Sequence, residues 1–152
     1  MEFSRTLSRQ ILATDRRHRS LWRLGGAGLA IGVVALLVIA SRLEPSASGL
    51  GTHHQLGLPP CSIRLLFDVR CPSCGMTTSW AHFANGSFIS AARSNLGGML
   101  LAIYAIGCVA AGANMMLSGR SPSAGVIRYA TISLAAIALV TLVEWGLRLV
   151  AI

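Results

Sequence analysis

Three long apolar runs divide the chain, and the polar stretches between them are short. No charge interrupts residues 24–41, LGGAGLAIGVVALLVIAS. A run of about 20 apolar residues is what a helix needs to cross a hydrocarbon core of about 30 Å. The longest uncharged window is 94–119, and within it 96–117 (LGGMLLAIYAIGCVAAGANMML) reads as a second crossing. The third run, YATISLAAIALVTLVEWGL, lies between Arg128 and Arg148, and it spans if both arginines extend their charged ends to the head groups. The pattern predicts an all-α integral membrane protein with transmembrane helices over 24–41, 94–117 and 128–149, and short interfacial helices in the loop between the first two. A cleaved signal peptide over the first run is disfavoured, because a basic lead of 23 residues is long for one and no A-x-A site follows.

The intervening segments differ in kind. Residues 1–23 form a basic tail in which Phe3, Leu7, Ile11 and Leu12 share a helical face, so the segment is either a surface-lying helix or a plain cytoplasmic tail. Residues 42–60 carry Pro, Gly and Ser at turn-forming density and read as a linker. Residues 61–93 form the cysteine loop. There Met76, Trp80 and Phe83 recur at i, i+4 and i+7, which predicts a short amphipathic helix over 75–84. Asn85-Gly86 then marks a turn, and Ser87 is placed to cap a second short helix, SFISAAR. Residues 118–127 link the second and third spans. Trp80 and Phe83, with Arg23, Arg128 and Arg148, are the expected membrane-interface residues. Small residues at four-residue spacing, Gly28 with Gly32 and Gly107 with Ala111, are expected to let helices approach closely. Glu144 either reaches the interface or faces a polar site between helices, with Asn95 at the head of the second span as its companion.

Composition agrees with the pattern, with 53% hydrophobic and 12% charged residues and a mean hydropathy of +0.63. The net charge of +8 comes from arginine without lysine, and six of the thirteen arginines precede residue 24. Those basic residues stop where an apolar run begins, which fits a membrane surface and argues against nucleic acid. With the N-terminus cytoplasmic, eight arginines lie inside and five outside. The cysteine loop then faces the periplasm or exterior of a bacterial inner membrane, where thiols are prone to oxidise.

Three of the four cysteines fall between Cys61 and Cys74, and Cys71-Pro72-Ser73-Cys74 is a C-x-x-C pair. Three chemistries fit. Two thiolates at this spacing make half of a tetrahedral zinc site, with Cys61 as third ligand and His82, His53 or His54 as fourth. Alternatively, the pair at the start of a helix performs thiol-disulfide exchange, Cys71 attacking and Cys74 resolving. In the third reading a Cys61 disulfide simply pins the loop. Cys108, in the middle of the second span, reads as a small apolar residue.

Cys61, then Cys71-Pro72-Ser73-Cys74-Gly75-Met76-Thr77, then Asn95 heading an apolar helix, resembles a bacterial membrane family catalogued as a domain of unknown function, 2752. Ser62, Ser73, Thr78 and Leu96 stand where that family has Pro, Gly, Arg and Pro. Arg70 or Arg93 is then the expected substitute for a cation beside the cysteines. The resemblance covers about residues 59–117 and carries no established activity. The expectation is a small accessory or assembly subunit with a metal-bound or disulfide-locked knuckle, whose partners are the lipid bilayer and another membrane protein or a second copy. The alternative is a membrane thiol-disulfide oxidoreductase acting through Cys71 and Cys74.

Overall fold

With neither Pro nor Gly before Gly25, nothing in the basic segment stops a helix. In the computed structural model, α1 runs unbroken from Glu2 to Arg42, 41 residues, about 60 Å long. The structure describes the backbone of residues 2–46 and 49–150, and the side chains of 15–46, 49–63 and 65–150. The basic segment is therefore continuous with the first span instead of lying apart on a surface. The apolar face of Phe3, Leu7, Ile11 and Leu12 lies outside the described side chains.

Three helices are long and apolar enough to cross a membrane: Asp15–Arg42 within α1, Leu96–Ser118 (α5) and Ala124–Val150 (α6). Among the described residues there is no strand. The fold is all-helical, with three candidate spans, as the apolar runs predict. Between α1 and α5 lie a 3₁₀ turn, Thr52–Leu56, and three short helices, Ser62–Phe67 (α2), Met76–Ala84 (α3) and Phe88–Ser94 (α4). Pro45, whose ring disfavours helix in the residue before it, follows shortly after the end of α1. Gly119, at φ 64°, ends α5 and donates its N–H to Met115 O at 2.9 Å.

Helix α5 is the hub: α1, α3, α4 and α6 all pack on it. The closest approach is between α1 and α5, where a Cβ on Gly26 would lie 2.5 Å from Gly112 O and one on Gly112 would lie 2.7 Å from Gly26 O. At Gly28, Gly32 and Gly107, by contrast, an added Cβ meets nothing within 4 Å. The expected Gly28/Gly32 and Gly107/Ala111 pairing is thus replaced by Gly26 against Gly112. Four-residue spacing is satisfied by several glycine pairs in helices this rich in small residues, and helix rotation selects which one faces the neighbour. The substitutions therefore have opposite expected signs. Gly26→Ala forces backbone apart, costing about 1–3 kcal/mol. Gly28→Ala and Gly32→Ala stabilise by up to about 1 kcal/mol through helix propensity. Unfolding of the purified protein by detergent titration measures both.

The interior contains mostly small and polar residues. Ala81, Ala91, Ala102 and Ala105 are buried, and the largest fully buried side chains are Asn95, Thr52, Thr78 and Ser79. All four of those polar residues sit at or next to the cysteine loop, so this end of the bundle is tied by hydrogen bonds more than by bulk. Helix α6 has no buried residue; its backbone packs on α5, and its Arg148 side chain reaches α4.

Candidate metal-thiolate site

The cysteine loop is shaped by a few backbone requirements. Cys61 follows Pro59-Pro60 and opens α2, its carbonyl accepting from Leu65 N at 3.1 Å. Past α2, Asp68 at φ 53° occupies the left-handed region that Asp tolerates better than most residues, and the chain turns there. Residues 71–75 then form a tight turn, with Cys74 N donating to Cys71 O and Met76 N to Ser73 O, both at 3.0 Å. Gly75, at φ 86°, ends the turn and caps α3.

One side chain anchors this turn to the membrane bundle. Asn95 is 2% exposed. Its Nδ2 donates to Pro72 O (3.1 Å) and Cys74 O (3.2 Å), while its Oδ1 accepts from Gly98 N at 2.6 Å and caps α5. Ser79 Oγ, from α3, donates to Asn95 O at 2.9 Å. The C-P-S-C turn therefore rides on the first turn of α5. Thr52 and Thr78 share a hydrogen bond of 2.8 Å and fasten the 3₁₀ turn to α3, so position 78 is filled by a threonine pair. The Thr52 and Ser79 ties were not foreseen from sequence; their only signal was hydroxyl residues on the faces of short helices.

The turn brings three sulfurs together. The Sγ atoms of Cys61, Cys71 and Cys74 lie within 4.8 Å of one another, and all are free thiols. Cys71 Sγ and Cys74 Sγ are 2.9 Å apart, Cys74 Sγ accepts from Cys71 N at 3.2 Å, and Ser73 Oγ is 3.4 Å from Cys71 Sγ. This triad has the donor set and spacing to hold a metal ion. With zinc–sulfur bonds of about 2.3 Å, tetrahedral sulfurs stand about 3.8 Å apart, so the Cys71–Cys74 pair would open by about 1 Å. A disulfide needs about 2.05 Å, so the same pair would close by a similar amount.

The two thiols of the pair are driven apart in acidity. Burial works to raise Cys71, but hydrogen bonds from Cys74, Ser73 and Cys61 outweigh it and hold the thiol below its ordinary value. Burial pushes the Cys74 thiol up, donation to Cys71 pushes it further, and it reaches about 11. Because the thiolate is the nucleophile, metal-free reduced protein is expected to alkylate at Cys71 well before Cys74 between pH 7 and 9. Cys74 follows only as pH nears 11, and peptide mapping after timed alkylation with a small reagent reads the order.

A cavity of about 600 Å³ opens over the thiols, lined by His53, His54, Leu58, Leu65, Asp68 and Met76 together with the three cysteines. His54 Nδ1 lies 3.2 Å from Leu58 O. A carbonyl only accepts, so Nδ1 carries the proton there, and in the neutral ring Nε2 keeps its lone pair. Metal-bound histidines characteristically have this arrangement. No histidine joins the three-sulfur group among the described residues: His53 and His54 stand in the cavity wall, and His82 lines a separate groove with Ser46, Gly49, Ser90 and Arg93. Nearness in sequence misled there, because His82 is on the last turn of α3 whereas the cysteines precede its first.

The other expected residues are distributed as follows. Trp80 is half-buried, with Nε1 buried and unpaired among the described residues, and Phe83 packs edge-on against Phe88 at 5.4 Å. Glu144 and Asn95 do share a polar region with Arg70, Cys71, Trp145 and Arg148. Glu144 Oε2 accepts from Leu96 N at 3.0 Å, and its Oε1 pairs with Arg148 at 2.5 Å. Arg148 also donates to Ser94 O and Arg93 O, so α6 is tied to the loop at this end. At the opposite end Gly119 packs against Arg19 and Arg23, and Arg120 and Arg128 follow it in the chain.

The region built around the triad can be compared with known families. Residues 61–109 match the family described as protein of unknown function (DUF2752). The DUF2752 match is the resemblance expected from the cysteine motif, and it takes in Cys61, Cys71, Cys74, Asn95 and the first part of α5. Helices α1 and α6 lie outside it. No curated protein and no solved structure matches the chain.

Proposed function

We propose that this chain is a small multi-pass accessory protein of a bacterial inner membrane whose Cys61, Cys71 and Cys74 bind zinc as a structural knuckle. His54 supplies the fourth ligand, and the knuckle presents a fixed surface to another membrane protein or a second copy. One observation carries the reading: three sulfurs from two separate segments converge within 4.8 Å on a turn held by Asn95. The eight-to-five arginine distribution supports a cytoplasmic N-terminus and an outward knuckle. His54 is the preferred fourth ligand because its Nδ1 is already engaged by a carbonyl in the wall of the thiol cavity. When bound, zinc would replace the thiol hydrogen bonds with four strong bonds and lock the linker to the loop.

The test is a thiol count by mass-shift alkylation, with and without reductant, alongside elemental analysis of the same purified sample. The expected result is about one equivalent of zinc, lost on replacing any of Cys61, Cys71 or Cys74 with Ser and bound more weakly in His54→Ala. The 2.9 Å Cys71–Cys74 approach favours a second reading, thiol-disulfide exchange. There the Cys71 thiolate attacks a disulfide of an exported protein, one substrate sulfur leaves as thiolate, and Cys74 then displaces the other. The substrate ends reduced and the pair oxidised. Two thiols freed only by reductant, with no metal, would favour that reading. Free thiols without metal would end the zinc reading, and the exchange reading would then fall if a Cys74→Ser variant trapped no mixed disulfide on Cys71.

A further inference from the structure

Helix α2 joins Cys61 to the Cys71 turn, and it packs on no other described helix. Ile63 is 44% exposed, Leu65 70%, Leu66 75% and Phe67 70%. Large apolar side chains exposed side by side mark a surface that meets something other than water. The depth of this surface follows from α6. Arg128 and Arg148 are twenty residues apart, about 30 Å along a helix, which equals the thickness of the hydrocarbon core. Arg148 therefore marks one head-group boundary, and Trp145, nearly one turn back, sits about 4.5 Å inside it. Trp145 Nε1 donates to Arg70 O at 2.6 Å. The backbone at Arg70 is thereby held at the edge of the hydrocarbon, and Phe67, three residues earlier, lies within about 10 Å of it.

We propose that α2 is a lipid-inserted segment, with Leu65, Leu66 and Phe67 seated in the bilayer interface beside the outer end of α6. Leu142, Val143 and Leu147, in the same end of α6, are exposed as well. The tie of Arg70 O to Trp145 puts α2 at the depth of the head-group boundary, which favours lipid over a protein occupant. Arg70 and Arg148 stand at the level of the phosphates. The inference rests on the span geometry and not on zinc. Its consequence is that the loop is moored to the bilayer between Cys61 and Cys71, and the thiol cavity, which Leu65 also lines, opens beside the membrane surface.

The test is photolabelling of the full chain in vesicles of phosphatidylcholine and phosphatidylglycerol, using a phospholipid with a diazirine near the glycerol end of its acyl chain. Peptide mapping by mass spectrometry should find label on residues 62–70 at a level comparable to the outer part of α6. Replacing Leu65, Leu66 and Phe67 together with Gln should lower the 62–70 label at least fivefold while leaving α6 labelled. An unlabelled α2 beside a labelled α6 would overturn the proposal. So would α2 label that falls as protein density rises while α6 label stays constant, which would assign the face to a second copy. Because the wild-type protein alone gives the first comparison, misfolding of the variant would not remove the test.

Discussion

Gly75→Ala is expected to destabilise the cysteine loop by about 2–5 kcal/mol, from two separable causes. Gly75 has φ 86°, a conformation costing an alanine about 1–2 kcal/mol. An added Cβ would also lie 2.6 Å from Ser94 O and 2.9 Å from Gly49 O, and neither carbonyl is a flexible side-chain end. Forcing that contact costs about 1–3 kcal/mol more. Linker, cysteine turn and the end of α4 meet at this one hydrogen atom, so separating them should loosen the triad itself. The expected signs are a lower thermal inactivation temperature and faster alkylation of Cys71, which is only 8% exposed in the native protein. Gly75→Asn separates the causes, since asparagine tolerates the left-handed region but keeps the Cβ. It should recover only the backbone share. Native stability in Gly75→Ala would show that the three segments do not converge there.

How much of this was legible beforehand depended on the physical range of each signal. The spans were legible because apolar length is a local property and a bilayer selects for it. The Cys61, Cys71 and Cys74 grouping was legible from spacing, because Cys71 and Cys74 need only a turn to meet and the segment back to Cys61 is short enough for one small helix to return it. The same reasoning failed for His82, which a helix carries to another groove. Trp80 and Phe83 read as interfacial from their spacing, yet that spacing describes a face that packs as readily on protein. Exposed apolar side chains of the loop lie on α2 and at Phe88 and Ile89 of α4, both helices too short for periodicity to announce. Which glycines touch was not legible either, because Gly26 and Gly112 are distinguished from Gly28 and Gly32 only by the rotation of α1 against α5. The link from Trp145 to Arg70 spans 75 residues and has no counterpart in any local pattern.

Asn95 shows how such a long-range tie differs from the cap that its position suggests. As a cap it accepts from Gly98 N; as a clamp its amide donates to Pro72 O and Cys74 O. Asn95→Ala removes both roles, about 1 kcal/mol for the cap and at least about 1 kcal/mol for each carbonyl left without its donor, about 3 kcal/mol in all. Asn95→Asp keeps the cap but turns the clamp into repulsion, since the new carboxylate oxygen faces two carbonyls. Burial and those carbonyls favour the protonated form, so the folded-state pKa of the new carboxyl rises above its unfolded value of about 3.9. The folded protein then binds more protons than the unfolded one in the window between the two values. Stability of Asn95→Asp should therefore increase as pH falls from 7 towards 5, when the carboxyl donates to one carbonyl. Asn95→Ala carries no titratable group at this position and should not show that added pH dependence. Thermal inactivation of both variants and of wild type at pH 5 and 7 separates the two roles. If Asn95→Asp kept wild-type stability at both pH values while Asn95→Ala lost it, the amide would be only a cap, and the cysteine turn would have to be held to α5 without the two Nδ2 bonds.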